Sequence, residues 1–172
     1  MKHGKKAACL ALAALALLGC FGCSSAPQPG GAGPDIDMAA LCDALLEVDT
    51  TLPEMVLKTS GEAEAKDNFF YLSDLDYGKV ESYFYAYADA GTAEEIAVVQ
   101  LKDKSDAAAL MDSLHKHVEA RQGTFEEYDP EQVPLTEGAV ITREGRYVAL
   151  IVSRKNGLVQ NTFQDFFKGA GD

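Results

Sequence analysis

The sequence carries none of the compact motifs that announce a chemistry. It has no H-E-x-x-H helix, no paired C-x-x-C motifs, no glycine-rich phosphate loop, and no G-x-S-x-G elbow around Ser60, Ser73, Ser82, Ser105, Ser113 or Ser153. Histidine is scarce, three in 172 residues, so a Ser/His/Asp constellation would have to be assembled by tertiary folding. The four cysteines, Cys9, Cys20, Cys23 and Cys42, are too few to make a disulfide framework. No apolar run reaches the roughly 20 residues needed to span a bilayer. The longest, Ala7 to Leu18, has about 12.

That short run reads as the core of an export signal. Lys2, Lys5 and Lys6 precede it, and Gly19 and Cys20 follow it. Leu17-Leu18-Gly19-Cys20 resembles a bacterial lipobox, in which cleavage leaves the cysteine as the new N-terminus and its thiol carries diacylglycerol. Cys23 competes, since Gly22 precedes it. Leucine three positions before the cysteine favours Cys20, because Cys23 would put Cys20 there and bulky Phe21 next to it. A diacyl anchor supplies the two chains that stable membrane attachment needs. The expected organisation is a cleaved signal at 1–19, a lipidated tether at 20–34 and a single domain at 35–172. The expected location is the extracytoplasmic face of the cell membrane.

All 27 acidic residues lie after Cys20 and three of the 15 basic ones leave with the signal, so the mature chain carries a net charge of −15. Such a polyanion is repelled by nucleic acid and gains nothing from counterion release. From Cys20 onward 153 residues remain, enough for one domain with a real core. Ala26 to Pro34, rich in proline and glycine, is the tether.

Beyond it the pattern alternates. Asp37 caps a helix marked by Met38, Leu41, Leu45 and Val48, with Ile36 and Leu41 as a hydrophobic staple. Thr50 to Gly78 is mixed, with a short helical possibility at Leu52 to Lys58 and an aromatic group at Phe69-Phe70-Tyr71. Val80 to Ala88 and Glu95 to Leu101 read as a hairpin, with Tyr83, Tyr85 and Tyr87 on one face and Val80, Phe84 and Ala86 on the other. Ser105 to Gln122 is a helix stopped by Gly123. A second hairpin, Ala139 to Arg143 and Arg146 to Ser153, turns at Glu144-Gly145, and its later strand is apolar on both faces, as in a central strand. Leu158 to Lys168 is a last amphipathic helix. The expected fold is α+β: two antiparallel hairpins forming a roughly four-stranded sheet, a long helix between them and helices at both ends.

Those segments carry a likeness. The lipobox, the tether, Ala93 to Val99 before Lys102-Asp103-Lys104-Ser105, Phe125-Glu126-Glu127-Tyr128-Asp129-Pro130-Glu131, and Gly145 to Ser153 together resemble the bacterial lipoproteins grouped as domain of unknown function 4358. The resemblance implies an envelope lipoprotein of a monoderm cell and carries no activity.

The candidate chemistry is thin. His115 and His117 stand two apart on a helix, about 200° around its axis, so they cannot share one ion and read as surface residues. Asp35/Asp37 and Asp74/Asp76 alternate as calcium ligands do, but no 12-residue loop with its closing glutamate surrounds them, so they read as caps and turns. Glu94-Glu95 and Glu126-Glu127 would serve acid/base chemistry if they converged, though such acids are usually solvated. Cys42 has no base or cation beside it to activate its thiol. No catalytic residue, metal ligand or cofactor is therefore assigned. The tyrosine row Tyr83, Tyr85 and Tyr87 is the better lead, a binding surface for an envelope protein or glycan unless helices cover it. The expected role is a non-catalytic binding or accessory module; small-ligand or cation binding comes second and an envelope-polymer enzyme third.

Overall fold

Alternating apolar residues and turn glycines give this chain its sheet. The computed structural model describes residues 34–169; the signal, Cys20, Cys23 and most of the tether lie outside the described residues. Five helices flank one antiparallel sheet of order β1-β2-β3-β5-β4, confirming an α+β architecture. The strands are β1 (Met55–Thr59), β2 (Val80–Ala88), β3 (Glu95–Leu101), β4 (Val140–Glu144) and β5 (Tyr147–Val152). The helices are α1 (Met38–Val48), α2 (Ala65–Leu72), α3 (Ala107–Tyr128), α4 (Val133–Glu137) and α5 (Asn156–Gly169).

The sheet has five strands where four were expected, because Met55 to Thr59 pairs along β2 from Met55↔Ala88 to Thr59↔Phe84 instead of turning into a helix. Pro53 just upstream and the β-branched Val56 and Thr59 favour extended backbone there. The aromatic group Phe69-Phe70-Tyr71 is helical, in α2. Helix α3 runs through Gly123 to Tyr128. Phe125 is buried in the core, and that packing outweighs the cost of roughly 1 kcal/mol for one helical glycine. The β4–β5 turn is Gly145-Arg146, one residue later than expected, and Gly145 adopts φ +57 as the first central residue of a two-residue hairpin turn must.

The sheet is covered on both faces. Leu41, Leu45, Val159 and Phe163 of α1 and α5 pack on Phe84, Ile96, Val98, Ala149 and Ile151. On the other face α2 and α3 pack on Tyr83, Tyr85, Ala97, Val99, Val148 and Leu150. Val80 joins this second face rather than that of Phe84, because Glu81 is an extra residue between the pairs Val80↔Leu101 and Ser82↔Gln100. Strands β3 and β5 are buried along their whole length, as interior strands must be. Asp37 caps α1 by accepting from the amides of Ala39 and Ala40 at 2.9 and 3.2 Å. The domain's first residues are held where Asp35 meets Arg146 at 3.1 Å and Gln100 at 3.1 Å. No helix among the described residues is long and apolar enough to cross a membrane.

Candidate functional site

Neighbouring residues across a sheet share a face, and this rule assembles the site. Val56, Tyr87, Glu95 and Val152 form one cross-strand row, and Lys58, Tyr85, Ala97 and Leu150 the next. Helix α3 crosses above the sheet, and His117 and Arg121, one turn apart, lie on the same side of it. The result is a carboxylate, Glu95, with a fully buried side chain, two hydrogen-bonding partners and one ion-pair partner around it. The Tyr85 hydroxyl donates to Oε2 at 2.9 Å. His117 Nε2 lies 2.9 Å from Oε2 and 3.1 Å from Oε1. Arg121 Nε stands 3.4 Å from Oε1 as an ion pair, while its Nη2 donates to the carbonyls of Thr92 and Ala93 at 3.2 and 3.4 Å. A buried carboxylate demands such company, since an unpaired charge in the interior costs several kcal/mol.

The three partners of Glu95, but not Glu95 itself, line a cavity of about 450 Å³ between α2 and α3, over the β1–β2 half of the sheet. Tyr85 and Tyr87 of β2, Lys58 of β1, Tyr71 of α2 and His117 and Arg121 of α3 line it. The Tyr85 and Tyr87 rings lie 5.2 Å apart at 42°, and Tyr85 meets His117 edge-on at 6.2 Å. Burial first, and the Glu95 charge next, push the Tyr85 phenol well above its ordinary 10.0, so it remains a protonated donor. Arg121 stacks over Phe125 at 5.3 Å, which holds its guanidinium in place.

The tyrosine row therefore does not form one open face. Tyr83 is 2 % exposed, packs edge-on against Phe69 and donates its hydroxyl to the Ala65 carbonyl at 2.7 Å, so it belongs to the core. Burial pushes its phenol up to about 12. Tyr85 lies on the cavity floor and Tyr87 is half-buried beside it. His117 departs from the surface reading: its side chain is 12 % exposed, while His115 is exposed on the far side of α3. Glu94 and Glu95 are buried rather than solvated, Glu94 beside Arg154 at 3.4 Å. Glu126 and Glu127 are exposed on the last turn of α3, so the four acids do not converge on the cavity.

The remaining candidates are structural. Asp76 accepts from the Gly78 amide at 2.9 Å, and Asp74 receives the Ser113 hydroxyl at 2.5 Å. No group of three or more metal-type ligands occurs among the described residues. Cys42 is buried inside α1, where burial and then the Asp43 charge raise its thiol to about 11. No local motif marks Lys58 or Arg121 in the sequence. The signal the sequence does carry is the i, i+4 pairing of His117 and Arg121 beside the apolar stripe of Leu110, Leu114 and Val118.

The family is decided by the stretch that contains this whole arrangement. The chain belongs to the family described as Domain of unknown function (DUF4358), which matches residues 56–153. No curated protein and no solved structure matches it. The family segment opens in β1 and closes just past β5, so it holds α2, α3, Lys58 and the Glu95 cluster, whereas α1 and α5 lie outside it.

Proposed function

We propose that this member of the DUF4358 family is a lipid-anchored binding module on the extracytoplasmic face of the cell membrane, and that it holds a small ligand in the pocket above Glu95. The observation that carries this reading is the pocket itself: a concavity of about 450 Å³ lined by the rings of Tyr71, Tyr85 and Tyr87 and by Lys58 and Arg121. Of the roles expected from the sequence, small-ligand binding gains most from it. A protein or glycan docked on a flat tyrosine face loses support, because Tyr83 is core and Tyr85 is a floor residue. An envelope-polymer enzyme is supported least, since no carboxylate lines the cavity and Glu95 already has three partners.

The anchor rests on the lipobox at Cys20. Cys20→Ala should abolish labelling by radioactive fatty acid in producing cells and release the protein from membranes. Labelling that survives in Cys20→Ala and disappears in Cys23→Ala would move the anchor. For the pocket, the protein extracted in non-ionic detergent should carry a bound small-molecule mass in native mass spectrometry. Ala120→Trp, which places an indole in the mouth of the cavity from the exposed side of α3, should lose that mass while keeping its melting temperature. An adduct unchanged in Ala120→Trp would overturn the assignment of this cavity.

A further inference from the structure

We infer that the pocket over Glu95 takes a ring-bearing organic anion, its carboxylate or phosphate met by Lys58 and Arg121 and its ring laid against Tyr87 and Tyr71. The inference rests on the pocket reading proposed above and names the class of ligand.

The charge of the wall comes first. The chain has 27 acidic residues against 15 basic ones, yet the charged side chains that line the cavity are Lys58 and Arg121, with no carboxylate. In a chain of net negative charge this sets two permanent cations, and no carboxylate, on the wall that a ligand meets, with their partners Glu62 and Glu95 outside the lining.

Unused donors come second. Lys58 Nζ has three N–H groups, and its one partner among the described residues is Glu62 Oε2 at 3.5 Å. Arg121 Nη2 donates to Thr92 and Ala93, its Nε faces Glu95 at 3.4 Å as an ion pair without a hydrogen bond, and Nη1 has no hydrogen-bond partner among the described residues. A guanidinium anchored by one side of its fork and stacked on Phe125 has already lost most of its freedom. Its remaining donors meet an oxyanion at little further entropic cost.

The ring follows from the charge balance. Glu95 offsets Arg121 and Glu62 stands beside Lys58, so the site has little net charge to spend on a bare ion. Affinity must also come from apolar contact. Tyr71 offers it, 77 % exposed on α2 at the cavity wall, and Tyr87 offers a half-buried ring already seated against Tyr85. A volume of about 450 Å³ admits one ring with its substituents.

Matched probes separate these elements. Titration calorimetry of the detergent-solubilised full chain would compare benzoate with benzyl alcohol, glucuronate with glucose, and inorganic phosphate alone. In at least one pair the anion should bind ten-fold or more tightly than its neutral partner, and phosphate more weakly than that anion. The pair that responds tells an aromatic acid from a sugar acid. Lys58→Met, at a half-exposed edge-strand position, should lose about ten-fold of the anion's affinity and leave that of the neutral partner unchanged, with an unaltered melting temperature. Equal binding of both members of each pair overturns the anion preference and leaves the pocket reading standing. Phosphate binding as tightly as the ring acids overturns the ring, and no binding by any probe overturns the ligand class. If Ala120→Trp binds the preferred anion as well as the wild type does, the pocket reading itself falls.

Discussion

The two faces of the sheet solve different problems with the same strand. Residues Ile96 and Val98 of β3 point toward α1 and α5, where Leu41, Leu45, Val159 and Phe163 meet them in apolar packing. Their neighbours Glu95 and Ala97 point toward α2 and α3, where a carboxylate is buried among Tyr85, His117 and Arg121 beneath an open cavity. The first face is what stability alone selects. The second is not, because well-packed apolar residues in place of a buried ionic cluster often leave a protein as stable or make it more so. An arrangement that stability does not require, placed under a cavity, is where a binding role is to be sought.

The comparison breaks most sharply at Glu95. Glu95→Ala leaves Arg121 and His117 without their shared carboxylate, and urea denaturation should show a loss of about 3–5 kcal/mol. Replacing all three together, Glu95→Leu with His117→Leu and Arg121→Leu, should recover most of that loss while ligand binding stays absent. A triple variant no more stable than Glu95→Ala would mean that the cluster holds the fold together.

On the dry face, Phe163→Ala removes a fully buried ring from α5 and should cost about 3–4 kcal/mol by the same measurement. The expected contrast lies in ligand affinity. Under conditions where the variant remains folded, Phe163→Ala should keep the wild-type affinity, because α5 does not reach the cavity.

Asp49 should give the α1/α5 face its own acid sensitivity. Burial raises the pKa of this carboxyl, but hydrogen bonds from Ser153 and Thr51 and the charge of Lys155 outweigh it, so the net shift is below the ordinary 3.8. A depressed folded pKa means that the carboxylate's stabilisation is fully present above about pH 4 and is lost as pH falls through the folded value. Asp49→Asn should therefore lower stability at neutral pH and flatten the decline below pH 4, as followed by denaturation at stepped pH. An acid limb identical to wild type would show that Asp49 does not report on this face.

Periodicity made the dry face, helix α3 and the tyrosine row readable from the sequence and left β1 and the Glu95 cluster unread. Asp37, the Leu41/Leu45 stripe, the two hairpins and the last helix all follow from local signals, because each apolar residue there does what its spacing says. The other face depends on tertiary context. β1 is a strand only because β2 lies alongside it, and α3 passes Gly123 only because Phe125 has a core to enter. His117 looked like a surface histidine because its partner is 22 residues away on another element. Tyr83, Tyr85 and Tyr87 were correctly grouped on one face, but spacing cannot tell a covered ring from a cavity wall; that depends on where α2 and α3 leave a gap.

The smallest expected effect is also the cleanest separation of the two kinds of contribution. Tyr71 is 77 % exposed, so Tyr71→Ser removes almost no buried surface and should change the free energy of unfolding by no more than about 0.5 kcal/mol. If the ring of the ligand rests on it, the same change should weaken binding of the preferred probe by about three- to ten-fold, the loss of a partly exposed aromatic contact worth about 0.5–1.5 kcal/mol. Unchanged stability with weakened binding would extend the functional face onto α2. Unchanged stability with unchanged binding would confine the site to Lys58, Tyr87 and the floor above Glu95.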